Sequence, residues 1–299
     1  MTDPKDSSLW QSIEHAIYDA TGTRFLRRAL TTIGGGCINS AYCLEGANVS
    51  YFIKLNQAKL IGMFEAEYVA LSDLAKNESV KVPLPICFGS SENKAFIVLE
   101  YIDLHSSNGK SDDLLGRQLA ALHQTKQSMF GWNMENTIGS TPQPNPATEN
   151  WVTFFTDSRL RHQLNLADLK GFSGQIQQNG AALCENMGLF FDSYTPYPSL
   201  LHGDLWGGNY ATDNTGHPVI FDPASYYGDR EADIAMTELF GGFSPAFYTA
   251  YNKVFPLDPG YSTRKTLYNL YHILNHLNLF GGSYLAQAER MIEMLLAEM

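Results

Sequence analysis

The sequence is poor in basic residues and lacks long apolar runs. Its 299 residues include 20 Lys and Arg against 31 Asp and Glu, a formal net charge of -11. A chain this acidic is poorly suited to bind the phosphate backbone of nucleic acids or an anionic membrane surface. No apolar stretch approaches the length needed to span a bilayer. We therefore expect neither nucleic acid nor membrane as a partner.

Cysteine is also scarce, and the four cysteines are scattered. Cys37, Cys43, Cys87 and Cys184 show neither the C-x-x-C pairing of a zinc site nor the density of a secreted disulfide scaffold. The first residues lack the basic-then-apolar order of a signal peptide. These absences favour a location in the reducing cytoplasm.

What the sequence does have is enough chain for two compact parts. A length of 299 residues with 44% hydrophobic content exceeds what one core usually holds. Period-two runs predict strands in the first third of the chain, and helical periodicity dominates after about residue 111. The predicted strands are 24–33, 49–55, 86–89 and 95–99, and the predicted helices are 8–20, 59–75, 111–125, 151–166, 176–190, 262–280 and 283–299.

A glycine-rich stretch, Leu201–Asn209, carries the clearest chemical signal. It reads LHGDLWGGN and places Asp204 five residues before Asn209. That is the spacing of a kinase catalytic loop, in which the Asp accepts the proton of a hydroxyl and the Asn helps to hold a metal ion. Thirteen residues after Asn209, Asp222 ends a short apolar run, where kinases keep a second metal ligand. A turn followed by an ordinary buried strand is the alternative interpretation.

Earlier in the chain, three consecutive glycines stand between two predicted strands. Gly34, Gly35 and Gly36 allow backbone amides to approach phosphate groups, because no Cβ atom keeps them away. A plain hairpin turn is the alternative. Cys37 follows directly, and we expect it either to fill space in a tight loop or to act as an oxidisable thiol that regulates the loop.

A lysine at the end of a predicted strand completes the phosphate-binding pattern. Lys54 ends the run YFIK, as does the kinase lysine that pairs with nucleotide phosphates, although a solvated strand-end lysine is common. The helix that follows offers Glu65 and Glu67 as ion-pair partners, and periodicity does not separate them.

Several other segments have a predicted role. Extended backbone at Glu100, Tyr101 and Ile102 is where a kinase hydrogen-bonds adenine, although an edge strand entering a loop has the same pattern. Residues 128–150 lack periodicity and predict a substrate-side loop or a surface ornament. The segment from Tyr226 predicts a helix with acidic residues in its first turn. His272 and His276 lack the Glu of an H-E-x-x-H motif, so we expect packed helix residues.

Taken together, the motifs resemble the protein-kinase-like phosphotransferases and, more closely, the fructosamine kinase family, also called ketosamine 3-kinases. The resemblance covers nearly the whole chain. The catalytic loop is shared with aminoglycoside and choline kinases, whereas DPASYYGDREAD after Phe221 and the Trp of HGDLW are more specific. The matching stretches are Gly34–Asn39, Met63–Glu67, Leu115–His123, Asn136–Thr141, Leu201–Asn209, Phe221–Ala235 and Leu274–Gly282.

The resemblance implies a bilobal α+β protein-kinase-like fold. Its N-lobe, 1–102, would be a small antiparallel sheet with one main helix, and its C-lobe, 103–299, would be larger and mostly helical. The implied reaction transfers the ATP γ-phosphate to the 3-hydroxyl of a ketosamine, a sugar joined through its first carbon to an amine, either free or on a glycated protein. The phosphorylated adduct is unstable, so the reaction repairs glycation.

The resemblance also implies a role for each candidate residue. Asp204 would act as the base, and Asn209 with Asp222 would hold Mg²⁺. Lys54, paired with Glu67 rather than Glu65, would fix the α- and β-phosphates of ATP.

The substrate side of the loop is less determined. We expect His202 to contact the substrate, and Trp206 either to cover the sugar and its cationic amine or to pack beneath the loop. Two other classes stay open: a kinase acting on an aminoglycoside or a choline-like alcohol, and a non-catalytic kinase-like binding module. Four intact residues argue against the module: Lys54, Asp204, Asn209 and Asp222. Monomer and homodimer are both compatible with the sequence.

Overall fold

The chain divides into two compact units that are discontinuous in sequence. A computed structural model describes residues 8–34, 39–106 and 109–299. The first unit comprises Met1–Ser106 and Ala211–Asp222, and the second comprises Ser107–Tyr210 and Pro223–Met299. These units differ from the expected lobes, 1–102 and 103–299, because residues 211–222 belong with the first unit.

A five-stranded antiparallel sheet forms the centre of the first unit. The strands follow the order β1-β2-β3-β5-β4, and helices α1 and α2 pack on them. Period-two alternation places Ile53 of the central strand in the apolar cluster of α1, with Trp10 and Ile13, and turns Lys54 to the other side, towards α2. The elements are α1 (Ser8–Thr21), β1 (Ala29–Ile33), β2 (Ser40–Glu45), β3 (Ser50–Gln57), α2 (Ile61–Asn77), β4 (Pro85–Ser91) and β5 (Lys94–Glu100), with a 3₁₀ turn at Ala58–Leu60.

Residues 211–222 return to the first unit through backbone pairing. Strand β9 (Tyr210–Thr212) pairs with β10 (Pro218–Ile220), and His105 and Thr212 exchange two backbone hydrogen bonds of 2.8 and 2.9 Å. The amide of Ile220 donates to the carbonyl of Lys81, and Lys81 Nζ lies 2.9 Å from Asp213 Oδ2. These contacts carry Asp222 to the first unit.

The second unit is mainly helical, and the 20-residue helix α9 contributes many of its buried side chains. Leu267, Ile273, Leu274 and Leu277 of α9 have no exposed surface. Helix α8 was not expected from the sequence. Among the described residues, no helix has both the length and the apolar character needed to cross a membrane. The elements, including β9 and β10, are α3 (Asp112–Leu122), β6 (Asn136–Ile138), β7 (Thr141–Gln143), α4 (Trp151–Phe155), α5 (His162–Leu169), α6 (Gln175–Glu185), β8 (Ser199–Leu200), β9 (Tyr210–Thr212), β10 (Pro218–Ile220), β11 (Tyr227–Gly228), α7 (Glu231–Leu239), α8 (Pro245–Val254), α9 (Tyr261–Phe280) and α10 (Leu285–Ala297), with a π-helical turn at Thr156–Arg161 and 3₁₀ turns at Met187–Phe191 and Gly282–Tyr284.

The segment 128–150, expected as a loop at the substrate or on the surface, is in part a buried hairpin. Its strands β6 and β7 pair, and Asn136 and Gln143 are buried. The side-chain amide of Asn136 donates to the carbonyl of Ser225 at 2.8 Å, and that of Gln143 donates to the carbonyl of Ala224 at 3.1 Å. The polar composition of the segment suggested an exposed loop. Its amides are buried instead, because they donate hydrogen bonds to backbone carbonyls of the segment that follows Asp222.

The helix expected from Tyr226 begins later, at Glu231. Tyr227 pairs with Leu200 as part of a short β ladder instead. The acidic residues of the first turn, Glu231 and Asp233, are buried rather than solvated. Glu231 accepts two hydrogen bonds from Arg264, at 2.7 and 3.2 Å. Specific partners within the second unit, and not the helix dipole alone, therefore explain why these carboxylates are buried.

Candidate active site

Lys54 lies between two carboxylates in the first unit. Its Nζ atom is 2.5 Å from Oε1 of Glu67 on α2 and 2.5 Å from Oδ1 of Asp222. Burial lowers the pKa of Lys54, but Asp222 and Glu67 more than offset this and hold it above its ordinary value. Lys54 is therefore a positively charged group at the centre of the sheet. The sequence left Glu65 and Glu67 open, and the structure pairs Glu67, while Glu65 is exposed.

Asp222 occupies an unusual backbone conformation. Its φ angle is 57°, in the left-handed region that costs a non-glycine residue on the order of 1 kcal/mol. Its side chain is 49% exposed, although one oxygen is held by Lys54. A carboxylate kept half open in a strained turn is typical of a functional position.

The remaining nucleotide-side residues are less constrained. Glu100 ends β5 and its Oε2 accepts a hydrogen bond from the amide of Leu84, at 3.2 Å. Tyr101 and Ile102 follow in irregular backbone, with Tyr101 exposed. Gly34 is exposed directly after β1. The other predicted loop residues, Gly35, Gly36 and Cys37, lie outside the residues that the structure describes.

The predicted catalytic loop in the second unit connects β8 with β9. The side-chain amide of Asn209 donates to the backbone oxygen of Asp204 at 2.8 Å and to its Oδ2 at 3.2 Å. The backbone amide of Asn209 also donates to the carbonyl of Trp206, at 2.9 Å. The structure therefore brings together the acid and the amide that the spacing predicted, and Asn209 fixes the orientation of the Asp204 carboxylate.

The start of this loop requires glycine at one position. Gly203 has a φ angle of +83°, and a Cβ atom there would lie 2.1 Å from the carbonyl oxygen of Ala224. No side chain fits that space, because the obstructing atom belongs to the backbone. The close approach locks the residue before Asp204 against the segment that follows Asp222.

A buried carboxylate, Asp233 of α7, holds the loop from behind. Its Oδ2 accepts a hydrogen bond from the backbone amide of His202 at 2.7 Å, and its Oδ1 accepts one from that of Gly203 at 2.8 Å. Burial raises the pKa of Asp233, but hydrogen bonding to His123 and the charges nearby bring it below its ordinary value. Asp233 is therefore ionised, and it positions the two residues that precede Asp204.

His123, at the end of α3, extends this support into the core. Its Nε2 lies 3.1 Å from Asp233 Oδ2, and its Nδ1 lies 2.8 Å from the hydroxyl of Tyr251. Arg230 donates to the same hydroxyl at 3.1 Å, so Tyr251 is left to donate to Nδ1 and His123 to donate to Asp233. Sequence reasoning assigned none of these a role in the loop, although His123 ends one of the stretches that carry the resemblance.

The two residues expected to contact substrate have different environments. His202 has no exposed surface, and its Nδ1 accepts a hydrogen bond from the amide of Asp204 at 3.3 Å. That burial does not fit direct substrate contact, so the expectation is corrected in favour of loop support. Trp206 is 38% exposed and contacts Phe240 edge to face at 5.9 Å. Trp206 therefore does not pack as core beneath the loop.

The described cysteines and the paired histidines offer no further reactive groups. Burial raises the pKa of Cys43, that of Cys87 to about 12 and that of Cys184 to about 11, so these thiols are protonated at neutral pH. His276 Nδ1 lies 2.7 Å from the carbonyl oxygen of His272. Burial lowers the pKa of His272 to about 3. Both histidines are packed helix residues, as expected.

The two predicted metal ligands, Asp222 in the first unit and Asn209 in the second, each keep an oxygen that suits a hard divalent cation. Asp222 presents a half-exposed carboxylate, and Asn209 uses its amide nitrogen for Asp204, which leaves the side-chain oxygen as its ligating atom. Carboxylate and amide oxygens are the donors that Mg²⁺ takes alongside phosphate oxygens.

Comparisons with known proteins identify one family. The sequence profile of the fructosamine kinase family matches residues 9–298. A "probable ketoamine kinase" of Synechocystis sp. is 48% identical over 96% of this chain and 97% of its own. The chloroplastic protein-ribulosamine 3-kinase of Oryza sativa subsp. japonica is 42% identical over 88% of this chain and 78% of its own. A Haemophilus somnus crystal structure of a candidate fructosamine-3-kinase superposes with a TM-score of 0.88 at 29% identity, covering 96% of this chain and 98% of that one.

Proposed function

The chain belongs to the fructosamine kinase family, and on that basis we propose that it transfers the γ-phosphate of ATP to the 3-hydroxyl of a ketosamine. The observation that carries the proposal is the pair Asp204 and Asn209, since the amide holds a half-buried carboxylate in one orientation on a braced loop. A non-catalytic module has no need of this arrangement. The α+β fold and the kinase-like neighbours support the same reaction class.

Each candidate residue has a defined task in this reaction. Asp204 accepts the proton of the 3-hydroxyl as its oxygen forms a bond to the γ-phosphorus and ADP leaves. Lys54, kept charged by Glu67, binds the α- and β-phosphates. Asn209 and Asp222 would each supply an oxygen to magnesium, which would neutralise phosphate charge when bound. Phosphoryl transfer demands positioning and charge neutralisation more than covalent chemistry, and these residues supply both.

The substrate follows from the family and from the exposed Trp206. A ketosamine carries a cationic secondary amine beside its sugar, and an exposed indole face attracts such a cation. We propose ribuloselysine or fructoselysine, free or within a glycated protein, because relatives carry the names ketoamine kinase and protein-ribulosamine 3-kinase. We place the enzyme in the cytoplasm, where the free thiols suit the redox conditions.

A substrate panel tests the proposal. ADP release is measured with ATP and magnesium against ribuloselysine, fructoselysine, kanamycin and choline, and the product is analysed by phosphorus NMR for phosphate at the third carbon. We expect turnover of at least one ketosamine and none of kanamycin or choline. Turnover of kanamycin without ketosamine activity favours the aminoglycoside alternative and overturns the proposal. An Asp204→Asn variant is the background control for contaminating kinases.

A further inference from the structure

Five aromatic side chains of the second unit form a continuous strip that starts on the catalytic loop. Trp206 contacts Phe240 at 5.9 Å between ring centroids, and Phe240 contacts His276 at 5.0 Å. His276 then contacts Phe280 at 5.4 Å and Tyr284 at 5.2 Å. We call these five residues the aromatic strip. Its members come from the loop, the end of α7, α9 and the turn before α10.

The aromatic strip is open to solvent along its length. Trp206, Phe240 and Phe280 are 38%, 40% and 58% exposed, and the other two side chains are partly exposed. Burial lowers the pKa of His276, so this ring adds no charge to the strip at neutral pH. Contiguous exposed aromatic surface of this kind is typical of a binding site.

The strip extends further than the reaction of a free ketosamine requires. In the proposed reaction the sugar reacts at Asp204, two residues before Trp206, and one ring is enough to cover the neighbouring amine. Phe240, His276 and Phe280 continue for three more ring contacts beyond Trp206. In a glycated protein, the group attached to the amine is a lysine side chain and then the polypeptide that carries it.

We propose that the aromatic strip binds the polypeptide that flanks the glycated lysine of a protein substrate. The inference rests on the proposed function and adds a surface that would bind a protein-bound ketosamine more tightly than a free one. Continuity with the catalytic loop supports this occupant. So does charge, because a net charge of -11 attracts the lysine-rich segments where glycation occurs. Exposed aromatic rings are the side chains that most often dominate the energy of such contacts.

Phe280 offers the cleanest test, since it is the most exposed ring of the strip. The variants are Phe280→Ala, Phe280→Tyr, which keeps a ring, and Leu189→Ala, which removes an exposed apolar side chain from another helix. Each is assayed with free ribuloselysine and with a short peptide that carries one ribulosylated lysine. Calorimetric Kd values for the peptide are measured as well, because they require no turnover.

We expect Phe280→Ala to raise KM and Kd for the peptide roughly fivefold to thirtyfold, the loss typical of one aromatic anchor. kcat and the KM for free ribuloselysine should stay near wild type, because binding of the flanking chain does not alter the chemical step. Phe280→Tyr should restore peptide binding, and Leu189→Ala should change neither substrate.

Two results overturn the inference. One is equal effects of Phe280→Ala on free and peptide substrates, which indicates a structural disturbance of the site. The other is unchanged peptide Kd and KM. Failure of the proposed function gives a different result, because the wild-type enzyme would then turn over neither substrate. The peptide Kd values of wild type and Phe280→Ala would still show whether the aromatic strip binds the peptide.

Discussion

The Nζ atom of Lys54 lies 2.5 Å from Oδ1 of Asp222, so a candidate phosphate ligand and a candidate metal ligand form an ion pair with each other. Glu67 also contacts the lysine, at the same distance. Under the proposed function, nucleotide phosphates would compete with Asp222 for Lys54, and a magnesium ion would compete with Lys54 for Asp222. Binding of each would then favour binding of the other, because each would release the partner of the other.

The first prediction concerns that ion pair. Asp222→Ala should abolish magnesium-dependent ATP binding, measured by calorimetry, because it removes the proposed metal ligand. The fold should persist, since the side chain is half exposed and the replacement leaves Lys54 its partner Glu67. Asp103→Ala, at another exposed acidic residue of the first unit, is the matched control. Unchanged Mg-ATP affinity in Asp222→Ala would remove this residue from the metal site.

The second prediction concerns the base. Asp204→Asn should lower kcat by about two to four orders of magnitude, the usual worth of a positioned general base. The affinity for ATP should change little, since the proposed role of Asp204 is to act on the acceptor hydroxyl. Steady-state kinetics with the ketosamine substrate measure both quantities, and Asp192→Asn serves as a surface control. Near-normal turnover by Asp204→Asn shows that another group takes the proton.

The sequence identifies the candidate site residues more readily than the contacts that support them. Short sequence motifs and their spacing are enough to identify Asp204, Asn209, Lys54 and Asp222 as candidates. The roles of Asp233 and His123 depend on contacts between segments distant in sequence, which no local pattern contains.

Composition was the other source of error. The amide-rich segment 128–150 has the composition of an exposed loop, yet Asn136 and Gln143 are buried because each finds a backbone carbonyl as a partner. Whether a polar side chain is solvated or satisfied internally is decided by tertiary structure.

The third prediction concerns loop support. Asp233→Asn should lower kcat about tenfold to a hundredfold with a small change in the KM for ATP, because the altered loop displaces Asp204 and not the nucleotide site. It should also destabilise the fold by about 2 kcal/mol, since one acceptor oxygen becomes a donor facing a backbone amide. Glu238→Gln on the same helix is the control. A proportional loss of kcat and ATP affinity would point to general unfolding instead.

Acid adds a second check on Asp233. Its folded pKa is lower than that of an unfolded aspartate, so its stabilisation is present at neutral pH and is lost as pH falls through the folded value. Urea unfolding of wild type and Asp233→Asn should therefore differ most near neutrality and converge in strong acid.

The fourth prediction concerns His272. Burial lowers its pKa to about 3, whereas an unfolded histidine titrates near 6.5. The unfolded state therefore binds the extra proton below about pH 6.5, and stability falls with decreasing pH by up to about 1.4 kcal/mol per unit. His272→Gln should flatten this slope in urea unfolding between pH 7 and 5. Parallel slopes for wild type and His272→Gln contradict the assignment.

The fifth prediction concerns oxidation. The described cysteines have raised pKa values and should react slowly with peroxide, which leaves Cys37 beside the glycines as the expected site. Mild peroxide should inhibit wild type reversibly, dithiothreitol should restore activity, bound ATP should slow the loss, and Cys37→Ala should resist. Equal peroxide sensitivity of wild type and Cys37→Ala would show that oxidation of another residue causes the inhibition. Cys37 would then be a small residue that fills space in the loop.

The return of residues 211–222 to the first unit limits how the gene can be divided. A fragment that stops at residue 106 omits Asp213, the partner of Lys81, and Asp222, the partner of Lys54. Such a fragment would leave a buried lysine with a single counter-charge and should be a poor autonomous nucleotide binder. Exchange of one half between homologues by a single crossover separates these partners as well. The two units are thus spatial modules but not genetic ones, and a functional chimera needs junctions near residues 106, 210 and 222 together.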